Sequence, residues 1–206
     1  MTNATGAAVN VMSSADVADD VVVPATARVW HLAQVREGAV LGENVIVGRG
    51  AYIGTGVRVG DNSKIQNYAL VYEPAELAAG VFIGPAAVLT NDHLPRAVTP
   101  DGTQKAASDW DLVGVTIGEG ASIGARAVCV APLKVGAWSL VAAGAVVTKD
   151  VPDHALVAGV PARQLGWVGR TGVRLIRDDK DGSAFRCPET GAQYIESDGE
   201  LREVAR

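Results

Sequence analysis

The chain has 206 residues, a formal net charge of −5, 24 glycines and an aromatic content of 5%. This length allows one hydrophobic core with an appendage, and the acidic balance argues against a nucleic-acid binder, which normally presents a basic patch. No apolar run is long enough to cross a bilayer and no signal peptide is evident in MTNATGAAVN, so we expect a cytoplasmic protein that binds no membrane.

Residues 1–14 are predicted to be a flexible N-terminus, and a six-residue pattern dominates the chain after them. Leu, Ile or Val occupies every sixth position from Val23 to Leu89, and the pattern resumes from Ile117 to Val147 with Cys129 in one of its places. Glycine often follows the aliphatic residue, and a small or β-branched residue usually stands four positions after it. A six-residue spacing fits neither a strand nor a helix, whose periods are about 2 and 3.6 residues.

A solenoid with three flat faces accounts for this pattern, because each hexad then forms one short strand and one corner. The aliphatic side chains point inward, the small residues fill the interior near each corner, and glycine supplies the backbone angles of the corner. Three hexads complete one coil, so the eighteen hexads from Val23 onward predict about six coils within residues 15–160. The sequence therefore predicts an all-β protein built as a parallel β-helix solenoid.

The register breaks over residues 90–116, which read TNDHLPRAVTPDGTQKAASDWDLVGVT. This stretch combines two prolines with charged residues and a tryptophan, and it predicts a loop ejected from the solenoid. Loops on a rigid scaffold often carry binding and catalytic residues. We therefore expect functional contacts here.

Residues 161–206 are predicted to form a C-terminal segment and a small β cap. Pro152 and Pro161 end the regular coils, and residues 162–170 are expected to form a short helical or turn segment. Beyond them, three apolar patches separated by DKDG, ETG and SDG predict a β-hairpin or a three-stranded cap. Such a cap covers the open end of the solenoid, which would otherwise be an aggregation edge.

The repeated pattern of an aliphatic residue, glycine, two variable residues and a small residue resembles the hexapeptide-repeat acyltransferases. The stretches KIQNYALVYEPAEL, FIGPAAVLTNDHLPRA, VAGVPARQLGWV and FRCPETGAQY are similar to those of N-acetyltransferases that act on nucleotide-linked 3-amino sugars, such as UDP-2-acetamido-3-amino-2,3-dideoxyglucuronate. The resemblance implies a left-handed β-helix and a homotrimer whose acyl-donor sites lie between neighbouring prisms. It also implies acetyl transfer from acetyl-CoA to the 3-amino group of a UDP- or dTDP-linked sugar in bacterial surface-polysaccharide or glycoside biosynthesis. The nucleotide, the C6 group of the sugar and the length of the acyl group stay open.

The resemblance assigns Asn91 to the reacting centre, where its amide accepts a hydrogen bond from the attacking amine and holds the lone pair towards the thioester. Arg96 in the same loop suits a diphosphate or sugar group, because a guanidinium is planar and binds in a bidentate manner. The sugar-nucleotide pocket is expected to contain four further residues, Gln66, Asn67, Tyr72 and Glu73. Asparagines such as Asn67 also form ladders along solenoid coils, so a structural role stays open for that residue.

The resemblance places the pantetheine arm of acetyl-CoA in a groove beside the last coils. Small residues there permit close approach, namely Ala125, Ala142, Ala143 and Gly144. Lys149, Arg163 and Arg170 are candidates for contacts with the phosphates of the coenzyme. Backbone N–H groups at the corners would stabilise the oxyanion that forms during acyl transfer.

The need for a histidine as general base distinguishes acyl transfer to a hydroxyl from acyl transfer to an amine. An amine with a pKa of about 8 is partly neutral at pH 7 and needs no general base, whereas a hydroxyl acceptor requires one, usually histidine. An O-acyltransferase that uses His93 as the base is therefore the alternative within this fold. His31 follows a tryptophan as in the related enzymes, but Gln34 replaces their second histidine, and His154 is expected to be structural.

No metal site is predicted. Carbonic anhydrases with this repeat need three histidines around a metal, and His31, His93 and His154 include no close pair. Cys129 and Cys187 form no CxxC motif, which indicates a reducing compartment and no structural zinc. A non-catalytic structural solenoid is the remaining alternative, and it would be a bare prism without a polar loop.

Overall fold

The computed structural model describes residues 10–178 and 182–204, and almost all of their regular structure is β. The strands are numbered β1–β24 in chain order, and three parallel sheets form the three faces of a solenoid. The only helix among the described residues is one turn of 3₁₀ helix at Ala107–Asp109. These residues include no helix suited to cross a membrane. The predicted all-β parallel β-helix is confirmed, and its left hand stays a prediction.

The chain visits face 1, face 2 and face 3 in turn. Face 1 contains β1 (Asp16–Val17), β3 (Gln34–Val35), β6 (Tyr52–Ile53), β9 (Leu70–Val71), β12 (Val88–Leu89), β15 (Val128–Cys129) and β18 (Val146–Val147). Face 2 contains β4 (Val40–Leu41), β7 (Arg58–Val59), β10 (Glu76–Leu77), β13 (Val115–Ile117) and β16 (Leu133–Val135). Face 3 contains β2 (Arg28–Val29), β5 (Ile46–Val47), β8 (Lys64–Ile65), β11 (Phe82–Ile83), β14 (Ser122–Ile123), β17 (Leu140–Val141) and β19 (Ala155–Gly159), extended by the antiparallel β20 (Ala162–Trp167).

The core follows from the register, because equivalent residues of most consecutive coils are 18 apart, as Val35 and Ile53 are. In the regular coils from β2 onward, the second residue of each two-residue strand is aliphatic or cysteine, and it is buried. Most of the small residues four positions later are also buried. In the core, aliphatic residues therefore stack on aliphatic residues of the next coil, and small residues stack on small ones. The low aromatic content of the chain fits this narrow interior, which admits only compact side chains.

The glycines that follow the aliphatic residues serve a purpose other than the one predicted. Eight glycines stand in this position: Gly42, Gly48, Gly54, Gly60, Gly84, Gly118, Gly124 and Gly136. None of them has a positive φ, and a Cβ on any of them would come within 2.6 Å of an atom in the next coil. They are needed for close approach between coils. The left-handed angle occurs two positions later, for example at Gly50 and at Tyr68, whose φ values are 62° and 60°.

Three corners connect the faces, and we name them corner A between faces 1 and 2, corner B between faces 2 and 3, and corner C between faces 3 and 1. The ejected loop leaves at corner A, where the pairing of Leu77 with Ile117 spans 40 residues instead of 18. The loop folds back on itself through antiparallel bridges between Asp92 and Leu112 and between Val98 and Gln104. The predicted loop is confirmed as a hairpin-like excursion of 22 extra residues.

The solenoid begins earlier than the supporting glycines indicate. Of the predicted flexible stretch 1–14, residues 1–9 lie outside the described residues, whereas Val11 bridges to Val29 and Met12 is buried. Face 1 consequently holds seven strands, against the six coils counted from Val23.

The C-terminal region differs from the prediction at two points. Residues 162–170 were expected to form a helical or turn segment, but Ala162–Trp167 is a strand, because it pairs with β19 in an antiparallel hairpin around Pro161. The cap that follows is a four-stranded antiparallel sheet, larger by one strand than predicted: β21 (Ile176–Arg177), β22 (Ala184–Arg186), β23 (Gln193–Ser197) and β24 (Glu200–Glu203). His154 joins cap and solenoid, since its ring lies edge-on to Tyr194 at 5.3 Å.

Candidate functional site

Corner A carries the predicted catalytic residue at the base of the ejected loop. Asn91 is half-buried, and its backbone carbonyl accepts a hydrogen bond of 3.1 Å from the N–H of Val113 across the loop stem. Its side-chain amide forms no hydrogen bond within residues 10–178 and 182–204. The loop therefore fixes the backbone of Asn91 and leaves the amide available to a ligand.

His93 lies on the same corner. Its Nδ1 is 3.4 Å from the carbonyl oxygen of Ala131, which is in the next coil, and this distance is at the upper limit of a hydrogen bond. A proton on Nδ1 would leave Nε2 unprotonated and able to act as a base. Arg96 is further out on the loop, where it is exposed and donates to the carbonyl of its neighbour Pro95 at 2.9 Å.

Tyr72 and Glu73 lie on corner A one coil before Asn91. The Tyr72 ring packs against the ring of Tyr52 at 5.1 Å, and Oε2 of Glu73 is buried with no hydrogen-bond partner among the residues the structure describes. Burial raises the pKa of Tyr52, and the nearby carboxylate of Glu73 adds to that rise. The sequence reasoning missed Tyr52, although it stands in the outward position of its hexad directly below Leu70.

Corner C gathers most of the residues predicted to bind the acetyl donor. Ala125, Ala142, Ala143 and Gly144 lie there on the last two regular coils, with Gly144 at a φ of 71° and no atom within 4 Å of where a Cβ would be. The N–H groups of Ala125 and Ala143 have no hydrogen-bond acceptor in the described parts of the chain. Corner C therefore offers an open surface of small residues with unused donors.

The predicted cations are divided among three places. Arg163 lies opposite Ala158 in the β19–β20 hairpin, which extends face 3 at its corner C end. Lys149 instead lies on corner A, because it follows Val147 of face 1 by two residues, as Asn91 follows Leu89. Arg170 is occupied elsewhere: it forms an ion pair of 2.7 Å with Glu203 and lies 4.7 Å from the centre of the Trp138 ring.

Gln66 and Asn67 also lie on corner C, near the N-terminal end of the solenoid. Oδ1 of Asn67 accepts a hydrogen bond of 2.9 Å from the backbone N–H of Arg49 in the preceding coil. A bond of the same kind occurs on corner B, where the Asp61 carboxylate accepts from the N–H of Glu43. The oxygen of Asn67 is therefore structural, and its amide nitrogen remains for other contacts.

Face 1 joins corners A and C and is mostly apolar on its outside. From the third strand onward its outward positions are half-buried in the single chain, and they are Tyr52, Leu70, Val88, Val128 and Val146. Face 2, in contrast, presents Arg58, Glu76, Thr116 and Lys134. The predicted residues of corners A and C thus border one apolar surface from opposite sides.

A cavity of about 630 Å³ lies between the last coils of face 2 and the cap, and none of the predicted site residues lines it. Residues 10–178 and 182–204 contain no group of three or more His, Cys, Asp or Glu arranged to hold a metal.

Parts of the chain match known proteins. The family model described as the hexapeptide repeat of succinyl-transferase matches residues 38–68 and 114–149. Serine acetyltransferase 4 of Arabidopsis thaliana is 42% identical over 90 residues, which cover 43% of this chain and 24% of that protein. The dTDP-3-amino-3,6-dideoxy-alpha-D-galactopyranose 3-N-acetyltransferase of Aneurinibacillus thermoaerophilus is 42% identical over 81 residues, which cover 39% of this chain and 40% of that protein. The chain thus spans less than half the length of either relative.

Among solved structures, the chain is similar to the GDP-perosamine N-acetyl transferase of Caulobacter crescentus in complex with CoA and GDP-perosamine. The two superpose with a TM-score of 0.53 at 28% identity, over 78% of this chain and 59% of that one.

Proposed function

We propose that the chain is an acetyltransferase of the hexapeptide-repeat type and that it transfers the acetyl group of acetyl-CoA to the 3-amino group of a UDP- or dTDP-linked amino sugar. The observation that carries the proposal is the side-chain amide of Asn91, which is held on a rigid corner and has no partner among the described residues. The 3-N-acetyltransferase relative and the nucleotide-sugar complex support an amine acceptor. We place the reaction in the bacterial cytoplasm, in surface-polysaccharide or glycoside biosynthesis.

The proposed mechanism needs no general base. Oδ1 of Asn91 accepts a hydrogen bond from one N–H of the neutral amine and directs the nitrogen lone pair at the thioester carbonyl. As the C–N bond forms, the carbonyl oxygen gains a negative charge that the N–H groups of Ala125 and Ala143 are suited to stabilise. The C–S bond then breaks, and the departing thiolate takes the proton that the amine releases.

The catalytic unit in this proposal is a homotrimer. In one chain, Asn91 and the small residues of corner C lie on opposite borders of face 1. Packing face 1 against a neighbouring copy buries its apolar stripe and brings corner A of one copy beside corner C of the next. Leu94 and Leu112 of the ejected loop are 73% and 50% exposed in the single chain, and the neighbouring prism would cover them.

The order of the residues along the solenoid axis fits an extended acceptor and an extended donor that meet end to end. Gln66 and Asn67 lie one coil before Asn91, Ala125 lies one coil after it, and Ala142, Ala143 and Gly144 lie one coil further. With about 4.8 Å per coil, Asn67 and Ala143 are separated by about 14 Å along the axis. Lys149 and Arg163, at the C-terminal end, then meet the phosphates of acetyl-CoA.

The test is the release of the CoA thiol from acetyl-CoA in the presence of UDP- and dTDP-linked 3-amino sugars. We expect turnover with one of them, a rate that rises with pH as the amine deprotonates around pH 8, and a loss of about a hundredfold in kcat/KM for Asn91→Ala. Gln104→Ala, which removes an exposed amide at the tip of the same loop, is the matched control. Failure of every amino sugar to support turnover contradicts the proposal.

Acetyl transfer to a hydroxyl group is the second candidate, and His93 is the observation that favours it. The contact of Nδ1 with Ala131 leaves Nε2 free to take a proton from a hydroxyl. The serine acetyltransferase relatives are consistent with such an acceptor. Turnover with serine or a sugar hydroxyl that is abolished by His93→Ala, in the absence of activity with amines, would select this candidate.

A further inference from the structure

A cleft of about 320 Å³ opens at corner C near the N-terminal end of the solenoid, away from the small residues of the last coils. Its walls come from three consecutive coils and include Trp30, His31, Ile46, Arg49, Gln66 and Asn67. Gln66 and Asn67 belong to the predicted sugar-nucleotide pocket, and His31 is the histidine that follows a tryptophan. The cleft combines flat rings, side-chain amides and a guanidinium in one recess.

The surroundings of the cleft are cationic although the protein is acidic. Ile46 pairs with Arg28 below and with Lys64 above, so two cations flank it on the outside of face 3. Arg49 adds a third cation on the corner. None of the three has a carboxylate partner within residues 10–178 and 182–204, whose ion pairs all involve other arginines. Three unpaired cations around a recess attract an anionic ligand.

The guanidinium of Arg49 is held in place by its neighbours. Its Nε donates a hydrogen bond of 3.2 Å to the hydroxyl of Tyr68, and this leaves the two terminal nitrogens for a ligand. The Tyr68 ring lies over Gly50, where a Cβ would come within 2.6 Å of ring carbons. Gly50 and Tyr68 are thus positioning residues that preorganise Arg49.

The imidazole on the aromatic side of the cleft is also held in one orientation. Nδ1 of His31 lies 3.0 Å from the hydroxyl of Ser14, so the imidazole is fixed beside Trp30 with Nε2 facing away from that bond. A half-buried indole next to this imidazole offers a stacking surface for a nucleobase, and the amides of Gln66 and Asn67 offer hydrogen bonds to its edge.

We infer that this cleft binds a nucleoside diphosphate, with the base stacked on Trp30 and the diphosphate bound by Arg49 with Arg28 and Lys64. The inference rests on the proposed function, because both reactants of that function contain a nucleoside diphosphate: the nucleotide of the sugar and the ADP portion of CoA. The position of the cleft favours the nucleotide of the sugar. Arg49 lies two coils, or about 10 Å, on the N-terminal side of Asn91, and the donor residues lie on its C-terminal side.

The experiment is calorimetric titration of the full-length protein with UDP, dTDP and CoA, which measures binding without turnover. The variants are Trp30→Ala and Arg49→Gln. The control is Arg58→Gln, which removes an exposed cation from face 2, and the thermal unfolding midpoint of each variant verifies folding. We expect each cleft variant to weaken UDP or dTDP binding by about fivefold or more, since stacking and charge-assisted hydrogen bonds each contribute at least that factor. Arg58→Gln should bind like the wild type, and Tyr68→Phe should show a smaller loss because Arg49 keeps its charge.

Losses confined to UDP or dTDP identify the cleft as the site for the nucleotide of the sugar, and losses confined to CoA identify it as the site for the donor. Unchanged affinities for all three ligands in both folded cleft variants overturn the inference, and so does a wild type that binds none of them. These results are independent of the proposed function: acetyl transfer that is lost in Asn91→Ala but unaffected in Trp30→Ala and Arg49→Gln would preserve the activity and refute the cleft.

Discussion

Glu73 and Asn91 occupy the same position on consecutive coils of corner A, because Val71 pairs with Leu89 in parallel register and each of the two residues follows by two positions. One coil spacing of about 4.8 Å therefore separates their backbones. Glu73 contributes a carboxylate with one buried oxygen that has no partner in the described chain, and Asn91 contributes an unbonded amide. A buried charged oxygen without a hydrogen bond is unfavourable unless a ligand supplies the donor.

We therefore expect Glu73→Gln to raise the KM for the acceptor by about tenfold, since a hydrogen bond to a charged group contributes about 1.5–3 kcal/mol. The KM for acetyl-CoA should stay at its wild-type value, because the proposed donor residues lie on later coils than Glu73. Initial-rate kinetics with each substrate varied in turn measure both constants. Equal rises in the two KM values would contradict a role confined to the acceptor.

The same variant has a readout that needs no substrate. Burial is the larger cause of the raised pKa of Tyr52, and the carboxylate of Glu73 is the second. Removing that charge should lower the pKa of Tyr52 while leaving it above its ordinary value. Spectrophotometric titration of phenolate formation in Glu73→Gln and in Glu73→Gln with Tyr52→Phe isolates this tyrosine.

Leu70→Glu should convert the proposed trimer into a monomer. Leu70 lies in the middle of the apolar stripe of face 1, and a buried carboxylate without a partner in an interface opposes association. Light scattering after size-exclusion chromatography should change from three times 21.2 kDa to 21.2 kDa. The matched control is Arg58→Glu on face 2, which should leave the mass unchanged, and a wild type that already elutes as a monomer would refute the trimer.

Two glycines on corner C should respond differently to substitution by alanine. A Cβ at Gly124 would overlap the backbone nitrogen of Ala143 in the next coil, so Gly124→Ala should cost about 2 kcal/mol or more. Gly144 has a φ of 71° but open space around it, so Gly144→Ala should cost only about 1 kcal/mol of backbone strain. Urea unfolding of both variants measures these free energies, and equal costs would show that close approach between coils is not the constraint.

The junction of cap and solenoid should lose stability in mild acid. His154 is buried, its Nδ1 donates to the carbonyl of Val168 at 3.0 Å, and burial lowers the pKa of its imidazole. The unfolded chain, with a histidine pKa of about 6.5, binds the proton more readily, so this contribution is complete above about pH 6.5 and is lost as the pH falls from there through the lower pKa of the folded protein. Asp153, Glu203 and Arg170 also influence this pKa.

Urea midpoints between about pH 7.5 and pH 5 test this expectation. His154→Asn is the comparison, because asparagine tolerates the φ of 61° at this position and does not titrate. The variant should show a shallower decline than the wild type. Parallel declines in the two proteins would assign the pH dependence to other groups.

The parts that sequence could predict are those in which structure repeats with the sequence. Val47 and Ile53 are buried for the reason that their spacing indicates, and the change of register after Leu89 marks the loop. The purpose of Gly54 could not be predicted, because it depends on the neighbouring coil rather than on its own backbone angles. The strand at Ala162–Trp167 depends on long-range pairing with β19 across Pro161.

The residues of the candidate site show the same limit of sequence-based prediction, which misses relationships between neighbouring coils. Lys149 and Ala142 are both predicted to contact acetyl-CoA, yet they lie on different corners, because six residues in a solenoid are enough to reach the next corner. Trp30, Arg49 and Gln66 are far apart in sequence and share a cleft because they stand about one coil apart. Once the coil is known to contain 18 residues, counting in steps of 18 gives both the corner of Lys149 and the shared cleft of Trp30, Arg49 and Gln66.

The constant rise of the coils links the length of a ligand to the number of coils that it spans. Eighteen residues of sequence correspond to about 4.8 Å along the axis, so under the proposed function the number of coils between Trp30 and Asn91 sets the length of acceptor that reaches Asn91. A relative with one more coil between them would accept a molecule longer by about 4.8 Å while every contact residue stayed the same. In this architecture, selectivity for substrate length can change by duplication of one coil of three hexads, without substitution of any residue in the proposed site.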